Sequence, residues 1–121
     1  MNREGSTAGS LAFLAFGPIV WALHLTVSYA GHAAMCAVGP AEGSGALQLL
    51  LGLATFIALA ILVVALLRPG LIRRLLRAMP ETSPEAGFAT TVMRFLGVLS
   101  LLGVSFAGMA MLILPLCQQL R

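Results

Sequence analysis

Three stretches of this chain, at 11–38, 46–67 and about 88–116, are almost wholly apolar. Each is longer than the roughly 20 helical residues needed to cross a hydrocarbon core about 30 Å thick. Runs of that length with no more than one charged residue (Arg94, in the third) are unsuited to the surface helices of a soluble domain. Composition agrees: 60% of the 121 residues are hydrophobic and 9% are charged, against about 25% charged in a soluble protein. The expectation is an all-α integral membrane protein of one domain, 1–121, with three transmembrane helices.

The connectors fit that expectation. Gly39-Pro40-Ala41-Glu42-Gly43-Ser44-Gly45 is made of turn-forming residues. The second connector, 68–87, opens with the helix stop Arg68-Pro69-Gly70. Residues 71–79 then read as a short basic amphipathic helix lying in the membrane interface. Leu71, Ile72, Leu75, Leu76 and Met79 form its apolar face, and Arg73, Arg74 and Arg77 its charged one. Ser83-Pro84 reads as N-cap and first turn of the third long helix.

Charge supplies an orientation. The formal net charge is +3, and all seven basic residues are arginine. Arg68, Arg73, Arg74 and Arg77 lie together in the second connector, Arg3 precedes the first span, and the connector at 39–45 has none. That is a cytoplasmic flank and not a nucleic-acid stripe, so the N-terminus and the 68–87 loop are expected in the cytoplasm. Nucleic acid is set aside as a partner. Ala30-Gly31-His32-Ala33-Ala34 loosely resembles a signal cleavage region, but the apolar run is too long and is broken by Gly17-Pro18 and His24. A retained helix is expected.

The first span carries the candidate chemistry. At about 100° per residue, Trp21, His24, Leu25, Ser28, His32, Met35 and Cys36 share roughly a third of its circumference. An ionisable group inside a bilayer is costly, so His24 defaults to a functional hypothesis: a haem or copper ligand, or a proton relay. The plainer reading is a neutral imidazole bonded to a neighbouring helix or subunit. It is preferred because no other span offers a second histidine for a haem pair. His32, Met35 and Cys36, with Met109, Met111 and Cys117 at the same level, would suit Cu(I). Methionines in apolar helices are more often packing residues, so no cofactor is expected and haem or copper is kept as the alternative. Cys36 and Cys117 leave the first and third spans on one side, and a disulfide between them is expected if that side is oxidising.

In the third span Gly97, Ser100, Gly108 and Pro115 form a small-residue stripe suited to close helix packing. The second span contains nothing ionisable and is expected to be a structural wall or a lipid-facing strut. All four acidic residues (Glu4, Glu42, Glu81 and Glu85) lie outside the spans. There is no Ser/His/Asp set, phosphate loop, CxxC or HExxH, so the chain is not expected to be an enzyme or an ion-coupled transporter.

Gly17-Pro18-Ile19-Val20-Trp21-Ala22-Leu23-His24-Leu25, followed by Tyr29, Cys36 and a terminal Pro115-Leu116-Cys117, resembles one group of proteins. These are small three-span bacterial membrane proteins encoded beside haem–copper cytochrome c oxidase genes. The resemblance covers the first and third spans; the second contributes only length and hydrophobicity. It implies an accessory or assembly role at a respiratory oxidase, with other membrane subunits and membrane lipid as partners.

Overall fold

A computed structural model of the chain describes residues 3–38, 44–78 and 84–113. It is helical throughout: α1 (Arg3–Leu14), α2 (Phe16–Val38), α3 (Ser44–Leu67), α4 (Pro69–Leu75) and α5 (Ala86–Ile113). The three long helices α2, α3 and α5 are each long and apolar enough to cross a membrane. The expected turn at 39–45 lies largely outside the described residues, as do Met79, the Ser83 cap and Pro115.

The pairing of residues sets the topology. Gly17 of α2 meets Gly97 and Ser100 of α5, Gly97 meets Leu66 of α3, and Gly108 meets Thr55. At the far end Gly31 meets Leu51. Helices α2 and α5 therefore run parallel, with α3 antiparallel to both. Only 11, 17 and 22% of the three apolar stretches is buried inside the protein. Leu49, Phe56, Phe88, Phe95 and Phe106 all point outward. So large an apolar exterior has no stable place in water.

The first span does not begin as one straight helix. The helix starts at Arg3 and is interrupted at Ala15. Pro18 has no N–H, so the carbonyl of Leu14 loses its i+4 donor, and the chain can change direction there. Ala15 N–H still bonds the Leu11 carbonyl, and Ile19 N–H the Ala15 carbonyl, both at 2.9 Å. Helix α1 is thereby turned to pack on α4 and α5. Phe13 of α1, Ala65 of α3, Ile72 of α4 and Met93 of α5 form a cluster at that end. Ala58, Leu62 and Val104 form a second cluster midway along the bundle.

Helix α4 departs from the expected two-faced arrangement. Ile72 and Arg73 are both buried, whereas Leu71 and Leu75 are 46% and 70% exposed. Arg73 faces inward because acceptors await it there. Its guanidinium donates to the Ala86 carbonyl (3.4 Å) and to the Thr90 hydroxyl oxygen. The Thr90 hydroxyl spends its own proton on the Ala86 carbonyl (2.8 Å), which leaves its oxygen open to accept. The guanidinium carbon also lies 5.1 Å from the centroid of the Phe13 ring, a cation–π distance. Hydrogen-bond acceptors and a ring face on these sides offset part of the cost of burying the guanidinium. Helix α5 likewise begins later than expected. The carbonyl of Glu85 accepts from Ala89 N–H (3.0 Å), so Pro84 lies ahead of the first turn and not in it.

Helix α4 ends in a left-handed cap. Ala78 N–H bonds the Arg73 carbonyl (3.0 Å), Arg77 N–H bonds the Arg74 carbonyl (3.2 Å), and Arg77 has φ 49°. That is the Schellman arrangement, in which glycine normally takes the left-handed position. Arg77→Gly should raise stability by about 0.5–1 kcal/mol by removing the Cβ strain. Arg77→Val should lower it. Thermal unfolding of the two variants in one detergent, followed by circular dichroism, checks the opposite signs.

Candidate functional site

The site is the layer in which α2, α3 and α5 meet around His24. Two glycine contacts bring the helices close enough to make it. A Cβ added at Gly17 would lie 2.9 Å from the Gly97 Cα and 2.9 Å from the Ser100 hydroxyl oxygen. One added at Gly108 would lie 2.7 Å from the Thr55 methyl carbon. Glycine at these positions admits the neighbouring helix where alanine would hold it off.

Within that layer His24 and Ser28 are 5% and 1% exposed. His24 Nε2 is 2.9 Å from the Thr55 hydroxyl oxygen. The Thr55 hydroxyl gives its proton to the Leu51 carbonyl (2.9 Å) and so can only accept from the imidazole. Nε2 therefore carries the ring hydrogen, and Nδ1 is left as an acceptor. Nδ1 is buried and has no partner among the described residues, and the same is true of the Ser28 hydroxyl and of His32 Nε2. Ser28 stands apart here. Thr26, Thr55, Thr90, Thr91, Ser100 and Ser105 each donate to the carbonyl four residues back.

The partner of His24 thus comes from α3, a helix with nothing ionisable, where Thr55 is a polar contact point that the sequence did not single out. Its signal was present as a hydroxyl near the middle of an otherwise apolar run, but a threonine bonded to its own backbone looks the same in sequence. Trp21 packs on α5, where a Cβ on Gly103 would come within 2.8 Å of its Nε1, and the rest of the indole leaves it 40% exposed.

The other candidates fall as follows. Gly97, Ser100 and Gly108 are buried on α5. His32 and Met35 are half-buried, and Cys36 is on the exposed side of α2. His24 and His32 are separated by about 12 Å of helix and cannot share one ion. Among the described residues no three histidine, cysteine or acidic side chains are grouped as a metal site. No cysteine among them is free. Cys117, and with it the expected bridge to Cys36, lies outside the described residues.

The arrangement is chemically suited to association. One imidazole proton and one hydroxyl join α2 to α3, and glycine contacts at two heights of the bundle, Gly108 near Thr55 and Gly17 about 10 Å from His24 along α2, bring α5 close to both. Thr55→Val keeps the shape but removes the acceptor and should cost about 1 kcal/mol. Gly17→Ala, which forces backbone apart, should cost about 1–3 kcal/mol. Gly52→Ala, with nothing within 4 Å of an added Cβ, should be neutral or slightly stabilising. Unfolding in a detergent titration, measured on all three, gives the order; equal losses at Gly17 and Gly52 would remove the close-approach argument.

Comparison of the chain with protein-family models, with curated proteins and with solved structures returned no match.

Proposed function

We propose that this chain is a multi-pass protein of the bacterial cytoplasmic membrane that serves as an accessory or assembly subunit of a larger respiratory complex. The complex is a haem–copper cytochrome c oxidase on the resemblance carried by Gly17-Pro18, Trp21-Ala22-Leu23-His24, Tyr29 and Cys36. The observation that carries the reading is the use made of His24. The one imidazole at mid-span is bonded to Thr55 on a neighbouring helix, so the costliest polar group of α2 works in helix association. The large outward-facing apolar surface of α2, α3 and α5 leaves room for further subunits beside lipid. Purification in a mild detergent, with mass spectrometry of what accompanies the chain, tests this. Oxidase subunits should co-purify, and His24→Ala should reduce their yield while the chain still inserts; a chain that emerges alone from cells making the oxidase would sink the proposal.

A second reading, a small haem- or copper-handling membrane protein, is favoured by one specific observation. His24 Nδ1 is a buried lone pair with no partner among the described residues, and a neutral imidazole nitrogen of that kind is a metal ligand. A Soret band, or stoichiometric copper lost in His24→Ala, would replace the packing reading with this one.

The topology and the bridge belong to the same proposal. The N-terminus and the Arg68–Arg77 region lie in the cytoplasm, where arginines resist translocation. Helix α4 rests at the interface, and Cys36 is joined to Cys117 on the other side. Denatured protein taken from an oxidising compartment should gain no mass on alkylation until it is reduced. Two alkylated thiols without reductant would remove the bridge.

A further inference from the structure

Arg68, Arg73, Arg74 and Arg77 form one basic cluster in the sequence, and the fold separates their roles. Arg73 is turned inward onto Ala86, Thr90 and Phe13. Arg77 occupies the left-handed cap. Arg68 and Arg74 remain, and they line a single cavity of about 360 Å³ with Gly70 and Leu71. Both are exposed, and no acidic side chain among the described residues lines that cavity. Neither guanidinium is engaged by another side chain among the described residues.

The surroundings specify an amphiphile. The apolar stretch of α3 ends at Leu67, immediately before Arg68, so the cavity lies at headgroup depth if α3 spans the membrane. Leu71 lines it and is 46% exposed, and Leu67 and Leu75, next in sequence to Arg68 and Arg74, are 74% and 70% exposed. Two guanidinium groups recognise phosphate oxygens by charge and by paired N–H donors. The leucines add nothing to a free anion, but they accept the glycerol and first methylenes of an acyl chain. We propose that Arg68 and Arg74 bind the phosphodiester headgroup of an anionic glycerophospholipid, and that this site anchors α4 at a fixed depth. A separate groove of about 400 Å³ on α5, lined by Thr91, Arg94, Phe95, Val98 and Leu99, has only one cation and serves as the control.

Native mass spectrometry of the full chain, released from detergent with equal amounts of dioleoyl phosphatidylglycerol and dioleoyl phosphatidylcholine, reads the site directly. The wild type should retain phosphatidylglycerol in preference. Arg68→Gln and Arg74→Gln should each weaken that preference about fivefold, and the double variant should abolish it. Arg94→Gln should leave it unchanged. Unaltered helicity by circular dichroism separates loss of the site from loss of the fold, and the single variants carry the test if the double variant is unstable. Equal retention of the two lipids by the wild type would overturn the proposal. So would a double variant that keeps its preference, a preference lost in Arg94→Gln alone, or displacement of the lipid by millimolar inorganic phosphate.

Discussion

The close approach of α2 and α5 at Gly17 and Gly97 sets the spacing on which the rest of the bundle depends. Apolar helices in an apolar solvent gain little from burying leucine against leucine, so contact area and fit must hold them together. With no Cβ at either glycine, the two backbones come near enough for the Ser100 hydroxyl to lie beside α2. The same spacing lets the Trp21 indole lie flat along Gly103 and lets Gly108 receive the Thr55 methyl group. Helix α3 then fills the groove between the other two with Ala58 and Leu62 against Val104. The buried residues are few and mostly small because the helices are close.

That spacing also decides what becomes of the polar groups. His24 and Arg73 present the same problem at different depths, a nitrogen-bearing side chain removed from water, and in both cases a threonine of a neighbouring helix is among the acceptors. Thr55 and Thr90 each give their own proton to a carbonyl of their own helix and turn a lone pair toward the incoming donor. A threonine used this way is an acceptor that carries no charge into the apolar layer. Arg73 additionally ties α4 to α5 and, through Phe13, to α1, so the end of the bundle holding the arginines is braced. At that end α1 crosses close to α4, where an added Cβ at Gly9 would come within 2.5 Å of the Leu76 carbonyl oxygen.

A division of labour follows along the length of the molecule. The braced end carries Arg68 and Arg74 outward. The middle is sealed by His24, Thr55 and the glycines. Beyond it, toward His32, Gly31 of α2 meets Leu51 of α3. The apolar exterior is nearly continuous around all three long helices, so a partner subunit would meet a surface of leucine, phenylalanine and valine and not a polar patch.

The number of long helices, their approximate limits and their unsuitability for water follow from the sequence alone. Those properties depend on local hydrophobicity and on chain length against bilayer thickness, both additive along the chain. The small-residue stripe of Gly97, Ser100 and Gly108 is visible for the same reason, since helical periodicity is local. Which groups pair is a different kind of fact. Thr55 became the partner of His24, and Thr90 and Phe13 the surroundings of Arg73, only because residues 31, 17 and 60 positions apart were brought together by the bend near Pro18 and by the antiparallel α3. Trp21 met Gly103, 82 positions away, only through the parallel placement of α2 and α5. Four arginines that look equivalent in sequence acquired different roles through what lay opposite each. Periodicity places a side chain on a face of its own helix; only the tertiary structure decides what that face meets, because the meeting depends on the relative position of two helices and not on the order of residues in either.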